Sequence, residues 1–496
     1  MNSQYPRQYP RPPQRPPQRT PQRRRRRKKS NDLNIPFLCF LAVWLIVLGV
    51  IFLVAHIRNS APADDGRGSG TGSGLQTQGS QAGSPNRGDP PSGGDTDGRG
   101  TAEPPETTPP PVTFTDATIL SAGDIIAHLA QIKYAAAVGG GTHDFSNSFK
   151  YVKDMITAAD YAVANFETTL AGPDVEYTGY PRFNAPDSLL DAIKGAGFDM
   201  MLFANNHCYD TNLSGFIRTQ EQFTAHNLEY IGAKKNVGDD AYKIIEVNGI
   251  KIGMLNYADD LSNGTGTTKT INGRAIKSGE EAYMNLYNAA NASAMYDEIE
   301  SIISKMKADG VDLIIAYMHW GYEYNIKHNT FQSNVAQALC DRGVDVIIGG
   351  HPHVVQDADV LTSADGQRKT LCFYSLGNFV SNQNRRSLGE DATNSKYTEG
   401  GLIVTISVRK YSTGEVVITK AEQIPTFVHT YTAKNGFYAH EILPLADAVA
   451  NPSAYGLGNS SYGESNAKEV LGLENAVLGE VVQTFNETVA NEKDAS

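Results

Sequence analysis

An α/β domain with mostly parallel strands, preceded by one transmembrane helix and disordered segments, is the fold class the sequence predicts. Three observations carry it. From Thr113 to about Leu445, short β-branched apolar runs alternate with amphipathic stretches, the pattern of βα units around a parallel sheet. Residues 35–57, IPFLCFLAVWLIVLGVIFLVAHI, are almost wholly apolar and long enough to cross a bilayer core of ~30 Å. The segments on either side of that run lack the large apolar residues from which a core is built.

Residues 1–34 are Pro, Gln and Arg, ending in RRRRRKK at Arg23 to Lys29, and carry net charge +10. Directly before a membrane span, such a run is a topology signal that also contacts anionic lipid. Only Arg58 follows the span closely, so the positive-inside rule sets the N-terminus in the cytoplasm and the rest outside the cell. A cleaved signal peptide is the competing reading. The apolar run is long for one, and AHIRNSAPA offers a poor small-residue cleavage site. Residues 58–112 are Gly, Ser, Pro, Asp and Thr, a flexible tether. The chain as a whole carries −11, which leaves −21 for residues 35–496; an acidic exterior argues against nucleic acid as a partner. Cys39 lies in the span, and Cys208, Cys340 and Cys372 are scattered without a CxxC pair, so neither a disulfide framework nor a cysteine zinc site is expected.

Within residues 113–445 the strand candidates are ATILSAG, YAVAN, DMMLFAN, YKIIEV, IKIGMLNYA, VDLIIAYMHW, VDVIIGG, TLCFYSL and GGLIVTISVRK. The fourth and fifth flank Asn248-Gly249, a strong hairpin signal. Helices are expected near Phe149–Ala159, Ser188–Gly195, Gly215–His226, Glu280–Lys307 and Gln332–Arg342, and residues 446–496 read as a polar, partly helical tail. NGTGTTKTINGR, Asn263 to Arg274, lacks the Gly before Lys that a phosphate loop requires. It reads as a surface insertion.

Functional residues gather at the carboxyl ends of strands in open α/β sheets. Here those ends carry Asp124 and then His128; Asn165 and Glu167; Asn205, Asn206, His207 and Asp210; His319; His351 and His353; and Asn378. In IIGGHPH, Pro352 cannot donate to a ladder, so the segment lies past the strand end. Residues two apart on extended chain share a side, which aims both imidazoles at one spot. Histidines, carboxylates and an amide oxygen in this mix suit one or two borderline divalent ions such as Zn, Mn or Fe.

The ordered pattern GD…NFE…NNH…HWG…GGHPH…SLGN, over roughly Ala117 to Phe427, resembles the CapA family of capsule and poly-γ-glutamate biosynthesis proteins. That family is similar in turn to calcineurin-like metallophosphoesterases. The resemblance implies a four-layer α/β/β/α sandwich of metallo-dependent phosphatase type around a two-metal site. It implies Asp124, Glu167, Asn206, His319, His351 and His353 as metal ligands, with Glu167 where the phosphoesterases place a bridging Asp, and His207 as the group that protonates the leaving atom. His128, Asn205, Asp210, Glu323, Tyr324 and Asn378 are candidate substrate contacts or supports; for Tyr324 wall packing, and for Asn378 turn shaping, are the structural alternatives. The chain departs from the phosphoesterase pattern in placing His128 two residues late for Asp-x-His and in having NFE for GDxxD.

The expected function is a membrane-anchored extracellular protein of surface-polymer biosynthesis or export, with a metal-dependent phosphoesterase- or amidase-like cleft. An anionic polymer is the candidate substrate, poly-γ-glutamate being the one the resemblance implies, and membrane-bound polymer-synthesis proteins are the candidate partners. Arg182, Arg385 and Arg386 are the candidate basic patch to offset repulsion between polymer and acidic domain. A non-catalytic assembly scaffold and a general surface metallophosphoesterase are the alternatives.

Overall fold

The computed structural model describes residues 111–260, 269–289, 291–389, 394–459 and 463–494. The basic tail, the expected membrane span and all but the end of the linker lie outside them. Among the described residues no helix is long and apolar enough to cross a membrane.

Strands β1 (Phe114–Ile125), β2 (Tyr161–Phe166), β3 (Met200–Leu202) and β4 (Glu229–Ile231) are successive parallel neighbours. The chain then enters a second sheet through a hairpin of β5 (Tyr242–Val247) and β6 (Ile250–Asp259). Asn248 and Gly249 between them have φ of 52° and 79°, the left-handed pair that a two-residue hairpin demands. A small ribbon, β7 (Thr270–Ile271) and β8 (Arg274–Ala275), stands apart. β9 (Leu286–Tyr287), β10 (Leu313–His319), β11 (Val346–Gly350), β12 (Ala358–Thr362) and β13 (Lys369–Phe373) complete the second sheet. β14 (Asn378–Val380) returns to lie parallel to the end of β1, and β15 (Gly400–Tyr411), β16 (Val416–Thr432) and β17 (Tyr438–Pro444) extend the first sheet antiparallel. Among the described residues the two sheets hold eight and seven strands.

Alternate residues of these strands go to different cores, as a period of two requires. Ile119, Val163, Ile315, Tyr317 and Ile348 pack between the sheets. Leu120, Ala162 and Ala164 face helices α1 (Leu129–Val138), α2 (Ser188–Ala196) and α3 (Asn212–Ala225). Ile314, Ala316 and Ile347 face α4 (Ser293–Ala308) and α5 (Thr330–Arg342). The result is two sheets face to face with helices on both outer faces. Burial on both faces is why the central strands read as nearly continuous apolar runs.

Several elements differ from the expectation. The helix expected over Glu280–Lys307 is a 3-10 turn at Glu280–Tyr283, then β9, then α4. Asn285 and Asn288 break it: their amides bind Ala241 O and Asn256 O, and Asp260 Oδ1, instead of continuing a helical ladder. In Phe149–Ala159 only Lys153–Thr157 is α-helical. α1 was not foreseen, because its Ala-rich stretch shows little contrast between faces; the backbone N–H of His128 donates to Gln131 Oε1 (2.8 Å) at its start. β16 was not foreseen either, since its polar residues and Pro425 mask a strand that pairs with β15 across one register shift at Ser407/Val408. The C-terminal stretch forms α6 (Gly463–Leu478) and α7 (Val481–Asp494), with Val470, Leu478 and Val482 buried.

Candidate metal centre

The parallel strands of both sheets deliver their following residues to one place. Register sets Asp124 of β1 beside Asn165 of β2, and His319 of β10 beside Gly350 of β11. Two donor sets result, Asp124–Glu167–His319 and Glu167–His351–His353, each with its ligand atoms within 4.8 Å of one another and every member buried. Glu167 belongs to both. Its Oε1 lies 3.8 Å from His319 Nε2 and 3.8 Å from His353 Nε2. Asn206 Oδ1 is 3.0 Å from His319 Nε2, and His353 Nδ1 is 3.0 Å from Asp124 Oδ2. Asn165 Nδ2 donates to Asp124 Oδ1 (2.8 Å) and Glu167 Oε2 (3.2 Å), tying the two carboxylates together.

The glycines before His351 are required by space. A Cβ on Gly349 would sit 2.0 Å from Tyr374 O, and one on Gly350 would sit 2.9 Å from Asp124 Oδ1. His351 and His353 then take φ of 95° and 57°, a left-handed backbone that costs non-glycine residues of order 1–3 kcal/mol. Surrounding contacts hold the loop there. The Tyr324 N–H donates to Pro352 O (2.8 Å), and Asn378 Nδ2 donates to His353 O (3.3 Å), Gln383 Oε1 (3.0 Å) and Thr398 O (3.0 Å).

Without a cation the electrostatics are unfavourable at Glu167, His319 and His351. Burial, then Asp124 and more distantly Glu323 and Asp210, push the Glu167 carboxyl well above the usual range, against a smaller lowering by Asn165. Burial, with His351, His353 and His207, holds the His319 imidazole well below its ordinary value. His351 is lowered to about 3, by burial first and then by His353. Glu167 Oε1, His319 Nδ1 and His351 Nδ1 are buried without a hydrogen-bond partner, a costly condition for polar atoms. A divalent cation among these donors would relieve the carboxylate repulsion and suit neutral imidazoles. The residues fit such an ion.

His207 adjoins the cluster. Its Nδ1 is 2.7 Å from Asp210 Oδ2, which also accepts from the Phe183 N–H (2.6 Å). A carboxylate only accepts, so Asp210 fixes the proton on Nδ1 and leaves Nε2 for exchange. Asn205 knits the turn beneath: Nδ2 donates to Asn165 Oδ1 and Phe166 O, and Oδ1 accepts from the His207 N–H. His128 joins neither donor set. Its Nε2 pairs with Ser381 Oγ (3.2 Å), and its ring meets Phe183 edge-on, as does His207 from another side. Glu323 is exposed, while Tyr324 Oη accepts from Gln383 Nε2 (3.3 Å).

Some participants carried no assigned role in the sequence reading. Asn165 had a signal, as the single polar residue closing YAVAN; Phe183, Ser381 and Gln383 had none, because loops far apart in sequence bring them in. The insertion expected at the surface returns to the site: Asn272 approaches His207 Nδ1 at 3.1 Å, and Arg274 Nη1 binds the carbonyls of Tyr209 and Asp210. Of the expected basic patch, Arg385 is engaged by Glu399 and Glu469. The Cys208 thiol is buried, and burial pushes it up to about 12, which leaves it unreactive.

A two-sheet α/β domain with a buried carboxylate–imidazole cluster at its strand ends defines a candidate divalent-metal protein. The chain belongs to the family of bacterial capsule synthesis proteins PGA_cap, whose sequence profile matches residues 118–383. It is 30% identical over 242 residues to the capsule biosynthesis protein CapA of Bacillus anthracis, a match covering 47% of this chain and 54% of that protein. It is 29% identical over 243 residues to the PGA biosynthesis protein CapA of Bacillus subtilis strain 168, covering 47% and 57%. The chain thus spans about half the length of the curated relatives it matches. Among solved structures it is similar to the calcineurin-like phosphoesterase YfkN of Bacillus subtilis, with 15% identity and a TM-score of 0.33 over 76% of this chain and 100% of that one.

Proposed function

We propose that this chain is a metal-dependent hydrolase of surface-polymer biosynthesis or export, tethered to the cell membrane by residues 35–57 and acting outside the cell on an anionic polymer, with poly-γ-glutamate the substrate its relatives suggest. The observation that carries the chemistry is Glu167 Oε1, unpartnered, buried and equidistant from two imidazole nitrogens. Two ions in a site of metallo-dependent phosphatase type would share it, with Asp124, Asn206 and His319 to hold one and His351 and His353 to hold the other. Bound divalent ions supply Lewis-acid polarisation and water activation there. The chain's own residues do the rest. Asn165 sets the spacing of the carboxylates, the His351–His353 loop supplies preformed imidazoles, and His207 Nε2 delivers a proton to the leaving oxygen or nitrogen while Asp210 holds the ring.

The test is turnover of a phosphodiester and of γ-glutamyl oligomers by the purified full chain. His207→Ala is expected to lower kcat by about 10²–10⁴-fold with metal content and KM little changed. No turnover of either substrate, or turnover indifferent to His207, would remove the hydrolase reading.

One observation favours a second reading, a non-catalytic assembly scaffold. His128 is bound to Ser381 and joins neither donor set, so the ligand that an Asp-x-His pattern would add beside Asp124 is missing. The scaffold reading expects polymer formation in cells to survive His207→Ala and to fail when residues 35–57 are removed.

A further inference from the structure

Beyond the metal centre the first sheet carries a cleft of about 190 Å³, lined by Arg386, His429, Thr430, Asn466 and the start of α6 at Gly463. That is more than ten times the ~10–15 Å³ that admits one water. His429 is 3% exposed, and neither ring nitrogen has a hydrogen-bond partner. An imidazole with both nitrogens unmet, beside open space, is a cost to the fold unless something else meets it.

The charge around the cleft states what that is. Arg385 and Glu399 neutralise each other through paired contacts of 3.0 Å from Arg385 Nε, and Glu469 is held by Arg385 and Lys396. Arg386 is exposed and makes no ion pair among the described residues; its guanidinium carbon stands 5.5 Å from the Tyr438 ring centroid. α6, sixteen residues long, opens onto the cleft at Gly463, where a Cβ would come within 3.2 Å of His429 Nε2. The positive end of its dipole therefore lies beside the imidazole. Glu464 in its first turn is occupied by Lys468 at 2.6 Å. A guanidinium without an ion pair among the described residues, an imidazole and the Asn466 amide, beside the positive end of a helix dipole, form a set for an oxyanion.

We propose that this cleft is an oxyanion-binding site, for a carboxylate or phosphate group, separate from the metal centre. It is linked to that centre by one segment of chain. Ser381 touches His128, Asn382 Oδ1 is 2.8 Å from His440 Nε2, Gln383 supports Asn378, and Arg386 reaches the cleft. A ligand with repeated anionic groups could thus be held at Arg386 while another part of it lies at the metal centre, although binding at the cleft does not depend on the hydrolase reading.

Isothermal titration of the metal-stripped full chain with inorganic phosphate, and separately with glutarate, against chloride at matched ionic strength tests it. One saturable site is expected for at least one titrant, and the stronger of the two identifies the group. Arg386→Gln, an exposed position, should weaken it tenfold or more, and Asn466→Ala and His429→Phe should each weaken it measurably. His351→Ala/His353→Ala should leave it intact. Absence of saturable binding with both titrants overturns the proposal. So does binding that persists in Arg386→Gln and vanishes in the double variant, which would assign the anion to the metal centre instead.

Discussion

Glu167 carries the proposed chemistry at the scale of single residues. Its burial beside Asp124 makes ionisation unfavourable in the absence of a cation, so its charge is a cost to the fold and a gain to the ion. Glu167→Gln, nearly isosteric, is therefore expected to raise the thermal midpoint of the metal-free protein while lowering bound metal by at least one equivalent; calorimetry and elemental analysis on one preparation measure both. A second residue-scale prediction concerns His440, which is buried against Asn382 and held at about 3 by desolvation. Its folded-state pKa lies below the unfolded value, so the stability it contributes is full above about pH 6.5 and is lost as pH falls toward 3. Between pH 6.5 and 5 the loss is roughly 2 kcal/mol. Denaturant unfolding of the metal-free protein at pH 7 and pH 5 should show the fall, and His440→Asn should reduce it. An unchanged pH slope in the variant would contradict this account of His440.

The element that matters most is the turn after β11. Gly349 faces backbone that cannot move, whereas Gly350 faces the Asp124 side chain. Gly349→Ala is expected to destabilise the protein by about 3 kcal/mol or more, at or beyond the upper end of ordinary overpacking, while Gly350→Ala should retain the fold and weaken metal binding. At the next position, His351 has φ of 95°. His351→Gly should be more stable than His351→Ala by roughly 1 kcal/mol, the strain an alanine keeps and a glycine escapes. Unfolding midpoints of the four variants check all of this. Much of the element was legible beforehand: VDVIIGG is bounded by its own chemistry, and Pro352 places both histidines outside the ladder. The donors at the strand ends were legible for the same reason, since polar residues closing apolar runs stand out against double-sided burial. What escaped was set by tertiary contact. The N–H of Phe183 reaches Asp210, Asn272 arrives from an insertion, and β16 is a strand because β15 and β17 pair with it rather than because its own residues alternate cleanly.

On the scale of the whole molecule, the donor cluster comes from packing two sheets face to face so that the carboxyl ends of their parallel strands meet. β1, β2 and β3 supply acid and amide groups, β10 and β11 supply imidazoles, and Ser121 Oγ with Tyr317 Oη at 3.1 Å, and the Ala204 N–H with Asn256 Oδ1 at 2.8 Å, are polar contacts between the sheets. α6 and α7 belong to this body. Leu478 and Val482 join the cluster between the sheets, so truncation before Gly463 is expected to expose apolar surface and lose the cooperative unfolding transition, as followed by circular dichroism and light scattering. Residues 35–496 carry −21, and cations at the strand ends are what would let such a body take up an anionic polymer. The most direct test is therefore elemental analysis of the purified full chain beside its His351→Ala/His353→Ala variant, both reloaded with Zn, Mn or Fe and desalted. The account predicts one to two equivalents of a divalent metal in the wild type and a loss of at least one in the variant. A wild type that retains no metal after reloading, or a variant that retains as much as the wild type, would contradict it.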